Sequence, residues 1–472
     1  MKISQIIFFT RPWQADLHIA LAKKLTAELG CNSVKFLTFF SLAVEKVEGA
    51  GFDCIYMPDE LRKVNGSEIS DEYFSEIDRK LYESGGENFH LMLQSERFLP
   101  ANRGEALLFG KKHLAALDSH IGEGTLLIST VPDHFVYWLA GGLARIKKGA
   151  FFSFSACGLP PGRIMALKSM WKTWSVQYKG DIKAYFDACR ARLMTPVSPE
   201  AGGIEYLKPQ ELPPLIKRLK YRYHEIKCEE RDTKAGSYFP GSKIFSFQVI
   251  KNRLPKKWFK YPEPNYDITT DEGVTQCGPF CYVPLHMEPE ATILMWSPWL
   301  QDQIEMCRLI SQALPVGWKL LVKENNAMSG IRHPSFYGNL KQLPNLELVS
   351  PDVGSLHLNI NSRVTASLSG TACLEASLMG KPAISFGRPP GLSLLMEADL
   401  SSSLKLSTLF QSLQQNKFQI SESSWSDWIE GTFEGKIVPR FKPNGEFCTP
   451  DDAKNIEAYS QYIINALNQN IN

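Results

Sequence analysis

The chain has 472 residues, 44% of them apolar and 22% charged. That balance belongs to soluble globular proteins and excludes disorder, collagen-like repeats and coiled coil as the main architecture. The length suits two domains with a connecting segment, and a formal charge of +2, from 52 basic and 50 acidic residues, excludes a dedicated nucleic-acid binder on charge alone.

The first residues hold only a short apolar stretch before Arg11 and Pro12, too short for the core of a signal peptide. No run of eighteen apolar residues occurs, so no membrane span is expected. Several of the ten cysteines sit inside apolar runs, where a small buried hydrophobe fits better than a disulfide. The expected compartment is therefore reducing and cytoplasmic.

Apolar runs of strand length stand at residues 4–9, 34–40, 52–57, 125–131 and 149–155. Between the first two, Leu17, Ala20, Leu21, Leu25 and Leu29 recur at helical spacing, and Gly30 follows as a C-cap. Non-alternating strands separated by helices predict a parallel α/β sheet, here over residues 1–200. Residues 59–96 interrupt it with ten acidic and four basic residues, read as a surface helical stretch. In TVPDHFVYW, Asp133 and His134 follow a strand at the start of a helix. Asp133 is read first as an N-cap, and both residues are catalytic candidates, since either could serve as a base. Arg11, Glu96 and Arg97 are weaker candidates of the same kind.

Residues 201–275 are read as a connecting segment. Within it, residues 204–262 carry fourteen Lys or Arg against six Asp or Glu, interleaved with aromatics such as Tyr221, Tyr223, Phe245 and Trp258. This local excess of basic charge is either a solvated linker or a contact surface for an anionic glycan or the inner face of the cytoplasmic membrane.

A second alternation runs over residues 276–400, with strands expected near 280–285, 318–322, 346–349, 364–368 and 382–386. Residues 401–472 form a polar extension ending in a helix near 452–468, which could pack back on the first domain. The expected fold class is α/β: two Rossmann-like domains facing a cleft.

The chemistry-bearing residues of the second half stand at its strand ends. In SLSGTACLEA, Ser369-Gly370-Thr371 turns from a strand into a helix; such a turn offers N–H groups and the positive end of a helix dipole to a phosphate. Glu375 is one helical turn further on, within reach of a ribose or sugar hydroxyl. In YVPLHMEPEAT, His286, Glu288 and Glu290 follow a strand, and in LLVKENNAM so do Lys323 and Glu324; a histidine and a lysine there could meet phosphate. Cys277 and Cys281 have no second pair, so no zinc site is expected there. Nor is there an Asp-x-Asp to hold a divalent metal, a Walker loop, or a strand-following G-x-G-x-x-G.

Four segments in order, FCYVPLHMEPEATI, LISQALPVGWKLLVKEN, PNLELVSP and SLSGTACLEASLMGKPAISFG, resemble the capsular polysaccharide synthesis family, which includes bacterial Kdo transferases of the GT-B class. The resemblance covers about residues 280–390. It implies a metal-independent glycosyltransferase moving a sugar from a nucleotide-activated donor to a growing capsular or lipopolysaccharide glycan. It places Lys323, Glu324, Ser369, Gly370, Thr371 and Glu375 around the donor, where His286, Glu288 and Glu290 are further candidates from their position after a strand, and Asp133 or His134 near the acceptor glycan or glycolipid. No cofactor is implied beyond the donor itself. Where relatives bear Lys-x-His-Pro, this chain has Asn325-Asn326 in the last two places, a departure that bears on use of a CMP-linked donor. A nucleotide-sugar epimerase of the same fold and a non-catalytic glycan-binding or assembly protein are the alternatives.

Overall fold

Buried apolar runs separated by amphipathic helices build two sheets. The computed structural model describes residues 2–64, 69–96, 99, 102–157, 162–193, 215–234, 261–288, 290–400, 403–415, 420–437 and 450–469. Its strands are β1 (Gln5–Phe9), β2 (Val34–Thr38), β3 (Asp53–Tyr56), β4 (Thr125–Thr130), β5 (Ala150–Ala156) and β6 (Arg163–Leu167). There follow β7 (Phe280–Pro284), β8 (Lys319–Lys323), β9 (Leu346–Val349), β10 (Val364–Ser367), β11 (Ala383–Ser385), β12 (Met396–Glu397) and β13 (Thr432–Glu434).

The described residues of Met1–Gln177, Ser198–Ile250 and Glu430–Asn472 form one compact unit, and those of Tyr178–Val197 and Lys251–Ile429 the other. The polar extension is thereby divided. Helix Ser403–Gln415 belongs to the second unit, whereas helix Pro450–Gln469 packs on helix Ala15–Leu29 of the first. Helix Ile182–Leu193, expected in the first domain, also belongs to the second unit. Most of the basic segment 204–262 lies outside the described residues; helix Leu215–Lys234 is the main part of it that is described.

In the first unit the strand order is β13-β6-β5-β4-β1-β2-β3. β3, β2, β1, β4 and β5 are parallel, with β6 and β13 added antiparallel at one edge. In the second the order is β12-β11-β10-β7-β8-β9, parallel throughout. Counted from its own first strand, each parallel core follows the doubly wound order 3-2-1-4-5, so the winding reverses between β1 and β4 in one unit and between β7 and β10 in the other. Both units are Rossmann-like, as the sequence pattern implied. A parallel sheet must be covered on both faces. In the first unit one cover is the C-terminal helix, whose Ile456, Tyr459, Ile463, Ala466 and Leu467 join Ile6, Phe8, Leu126 and Phe152 in a single apolar cluster. No helix among the described residues is long and apolar enough to cross a membrane.

Close packing at the start of β5 has a sharp test. A Cβ on Gly149 would lie 2.1 Å from the Thr125 carbonyl oxygen and 2.9 Å from that of Ala144, and backbone atoms in a sheet cannot swing aside as a flexible side chain can. Gly149→Ala is expected to lower the melting temperature, at a cost of about 1–3 kcal/mol; an unchanged melting curve would refute that contact.

Candidate functional site

In doubly wound sheets ligands bind outside the carboxyl ends of the strands where the winding reverses. In the second unit β7 and β10 flank that point, and the chain leaves them at His286 and at Ser369-Gly370-Thr371. His286 is 7% exposed. Its Nδ1 faces the Glu290 carboxylate at 3.2 Å, and its Nε2 accepts the Ser369 N–H at 3.4 Å. A carboxylate can only accept, so the ring proton sits on Nδ1 and Nε2 is the acceptor. Both ring nitrogens are therefore committed, and His286 holds the turn in place.

The turn is less open than its sequence suggested. The Ser369 N–H goes to His286 and the Gly370 N–H to Ser367 Oγ at 2.8 Å, because a buried N–H must find a partner. Ser369 is itself buried, and its hydroxyl is unpartnered. What the turn offers an anion is the start of helix Thr371–Leu378, which has no side-chain cap. Gly370 fits closely: a Cβ there would meet Ser367 Oγ at 3.2 Å and the His286 ring at 3.4 Å.

At the ends of β7 and β8 a pocket of about 230 Å³ is lined by Tyr282, Pro284, Lys323, Asn325, Asn326 and Ser355 among others. Lys323, at the end of β8, is 8% exposed and donates to Ser355 Oγ at 2.9 Å. Burial lowers the pKa of its ammonium, against the opposing pull of Asp352, Asp271 and Glu375. Glu375 is a turn into the helix, where Asn359 Nδ2 donates to its Oε2 at 3.4 Å. Burial pushes its carboxyl up to about 7, more than Asn359 and Lys323 offset. At neutral pH the group is thus poised between an acceptor and a neutral hydrogen-bond donor.

Glu288 and Glu324 have a different place. Arg332, which is 5% exposed, donates Nε to Glu324 Oε2 at 2.8 Å, Nη1 to Glu288 Oε2 at 2.5 Å, and Nη2 to the His286 carbonyl. Glu324 also accepts from the Tyr337 hydroxyl and the Asn325 N–H. Although Glu324 lines the pocket, its oxygens are spent on fastening the loops after β7 and β8. Arg332, Asn359 and Ser355 were missed in the sequence because none stands at a strand end.

The first unit carries a second polar cluster at its own reversal point. Arg11 leaves β1 and pairs with Asp133, which follows β4; Arg11 Nε also donates to the Tyr137 hydroxyl at 2.7 Å. Asp133 is not the N-cap. His134 holds that position ahead of helix Phe135–Ile146 and makes no side-chain cap. The cap comes from Glu96, whose Oε2 accepts the Phe135 N–H at 3.2 Å while its Oε1 accepts from His134 Nδ1 at 2.9 Å. Val131, just before, has φ of 52°, and this left-handed residue turns the chain sharply out of β4 so that both side chains reach the cluster. His134 Nε2 is 3.8 Å from Asp133 Oδ1, too long for a hydrogen bond. Glu96 is 4% exposed and His134 3%. Arg97 lies outside the described residues.

No protein-family model and no curated protein sequence matches the chain. Among solved structures, a beta-Kdo 2,7 transferase, KpsC of Thermosulfurimonas dismutans, is 9% identical; 97% of this chain and 99% of that one are covered, with a TM-score of 0.35. HepE of Anabaena, in complex with UDP and glucose, is 10% identical over 99% and 100% of the two chains, with a TM-score of 0.26. MnaA of S. aureus, solved with UDP, is 11% identical over 99% and 98%, again with a TM-score of 0.26. The likeness is one of extent rather than of close superposition, and the fold stands on its strand order.

Proposed function

We propose that the protein is a glycosyltransferase whose second unit binds the nucleotide part of an activated sugar donor and whose first unit handles a glycan or glycolipid acceptor. The observation that carries this is the buried Lys323 in a polar pocket at the ends of β7 and β8, with Glu375, from the uncapped helix Thr371–Leu378 that follows β10, near enough to act on its charge. A buried ammonium and a helix N-terminus suit phosphate. A carboxyl close to neutrality suits a sugar hydroxyl without repelling the anion beside it. The order of the four segments that resemble the capsular polysaccharide synthesis family supports transfer to a surface glycan over other uses of a nucleotide. His134, oriented by Glu96, takes the proton of the acceptor hydroxyl, and Arg11 and Asp133 set the polar wall next to it.

The test is binding of CMP-, UDP- and GDP-sugars by calorimetry and thermal shift. One class is expected to stabilise the fold, by about 2.7 kcal/mol at a hundredfold excess over Kd, and Lys323→Ala to abolish the effect. The pH dependence has a defined sign. The folded carboxyl of Glu375 titrates at about 7, so ionisation above that pH puts a negative charge beside the phosphate. Affinity is expected to fall above pH 7, by at most about tenfold per unit, and Glu375→Gln to flatten the profile. The same raised pKa means that stability without ligand declines as pH rises from the ordinary carboxyl range toward 7. If no nucleotide sugar shifts the melting curve, the proposal fails in favour of a binding or assembly protein. Product formed from donor alone would identify an epimerase.

A further inference from the structure

Away from both polar clusters, helix Leu215–Lys234 lies along helix Ser41–Gly49 within the first unit. Polar contacts fix its register. Asp232 Oδ1 accepts the Ser41 N–H at 2.8 Å and the Tyr56 hydroxyl at 2.7 Å, and Ser41 Oγ donates to the Cys228 carbonyl at 3.2 Å. At this seam His224 and Cys228, four residues apart, share one helical face and meet Glu45 of the neighbouring helix. His224 Nε2 is 2.6 Å from Glu45 Oε2; Cys228 Sγ is 3.8 Å from His224 Nε2 and 3.9 Å from Glu45 Oε1. One donor atom from each of the three lies within 4.8 Å of the others.

We propose that Glu45, His224 and Cys228 form a binding site for a divalent, thiophilic cation, zinc by the chemistry of its donors. Thiolate, imidazole and carboxylate are the three ligand types zinc takes, and with ordinary metal–ligand bond lengths the sulfur–nitrogen and sulfur–oxygen edges of a tetrahedron are about 3.6 Å. The observed edges at sulfur are a few tenths of an ångström longer. The sulfur edge runs to Glu45 Oε1, whereas His224 Nε2 is in hydrogen-bond contact with Oε2, so the ion either takes Oε1 as its ligand or opens the nitrogen–Oε2 contact. Two anionic ligands and one neutral ligand balance its charge, and water completes the fourth position.

The cluster already attracts a cation. Arg231 Nη2 reaches both Glu45 Oε1 and Cys228 Sγ, the latter at 3.2 Å, so a guanidinium bridges two of the three donors. The Arg231 side chain is 55% exposed and can leave into solvent when a smaller, doubly charged ion takes its place. Binding releases the thiol proton to solvent as the sulfur lone pair forms the metal bond. The outcome would be a clasp between two helices. A search for paired cysteines passes over it, because its third ligand is 179 residues from its histidine.

The experiment is titration of the full, chelator-treated chain with cobalt(II), followed by its visible and thiolate-to-metal absorption. One equivalent carrying a thiolate charge-transfer band is expected. The band should vanish in Cys228→Ser, affinity should fall at least tenfold in His224→Ala, and binding should persist or tighten in Arg231→Ala. Glu45 is exposed, so Glu45→Gln tests the site without disturbing a buried residue. Zinc should raise the melting temperature of the parent protein and not of this variant. A spectrum without the band, or one unchanged in Cys228→Ser, overturns the site in favour of a simple salt-bridged seam, and retained zinc stabilisation in Glu45→Gln does the same.

Discussion

Replacing His134 by alanine is expected to lower kcat for sugar transfer by about 10²–10⁴-fold, the range for loss of a positioned general base, with KM for the donor little changed. The reasoning starts from the tautomer. Glu96 accepts from Nδ1 of His134, so a neutral ring keeps its lone pair on Nε2, the atom turned toward Asp133. That is the arrangement of a base oriented by a third group. Glu96 acts through His134 and is a positioning residue. Glu96→Gln keeps an oxygen that can accept from either the ring or the Phe135 N–H, and should cost less than the histidine does. Partial recovery of His134→Ala by added imidazole would separate catalysis from packing. If His134→Ala loses melting temperature but keeps kcat, the histidine only begins the helix, and the acceptor chemistry lies elsewhere.

The parts of the fold that could be read in the sequence are those where one local rule decides. The helix Ala15–Leu29 ends at Gly30, whose φ of 62° is the left-handed cap its position implied. β1 to β5 and β7 to β11 fall within or against the apolar runs, and strands buried on both faces need no alternation to be visible. β13 was not legible: it has three residues, Thr432–Glu434, and exists because β6 offers it an antiparallel edge. The site divides in the same way. Strand-end residues such as His286, Lys323 and Ser369 could be found from position alone. Their roles could not, because whether an N–H or a carboxylate is available depends on partners far along the chain. Ser369 meets His286 across 83 residues and Phe135 meets Glu96 across 39. Asp133 was read as a cap for this reason: nothing local shows that Arg11 engages it.

Arg332→Met is expected to destabilise the second unit by about 3–5 kcal/mol, the cost of leaving a buried carboxylate without its partner. Three of its nitrogens are engaged, and the guanidinium carbon stands 4.4 Å from the centre of the Phe336 ring. Glu288 is more exposed and can turn to water; Glu324, 3% exposed, cannot. Burial already raises the pKa of Glu324 against the lowering effect of Arg332, so removing the arginine drives it further up. A carboxyl whose folded pKa exceeds its unfolded one loses stability as pH rises between the two values. The deficit should therefore be small in acid and grow toward neutrality, as urea denaturation at pH 5 and pH 8 would show. Adding Glu324→Gln should recover part of the loss and remove its pH dependence, because the amide can be buried uncharged. Since Arg332 also holds the His286 carbonyl, and His286 supports the turn before helix Thr371–Leu378, the single variant should bind the donor nucleotide more weakly even where it stays folded. A deficit below about 1 kcal/mol, within the range of an exposed pair, or one equal at both pH values, would mean that Glu324 finds water or another partner once the arginine is gone.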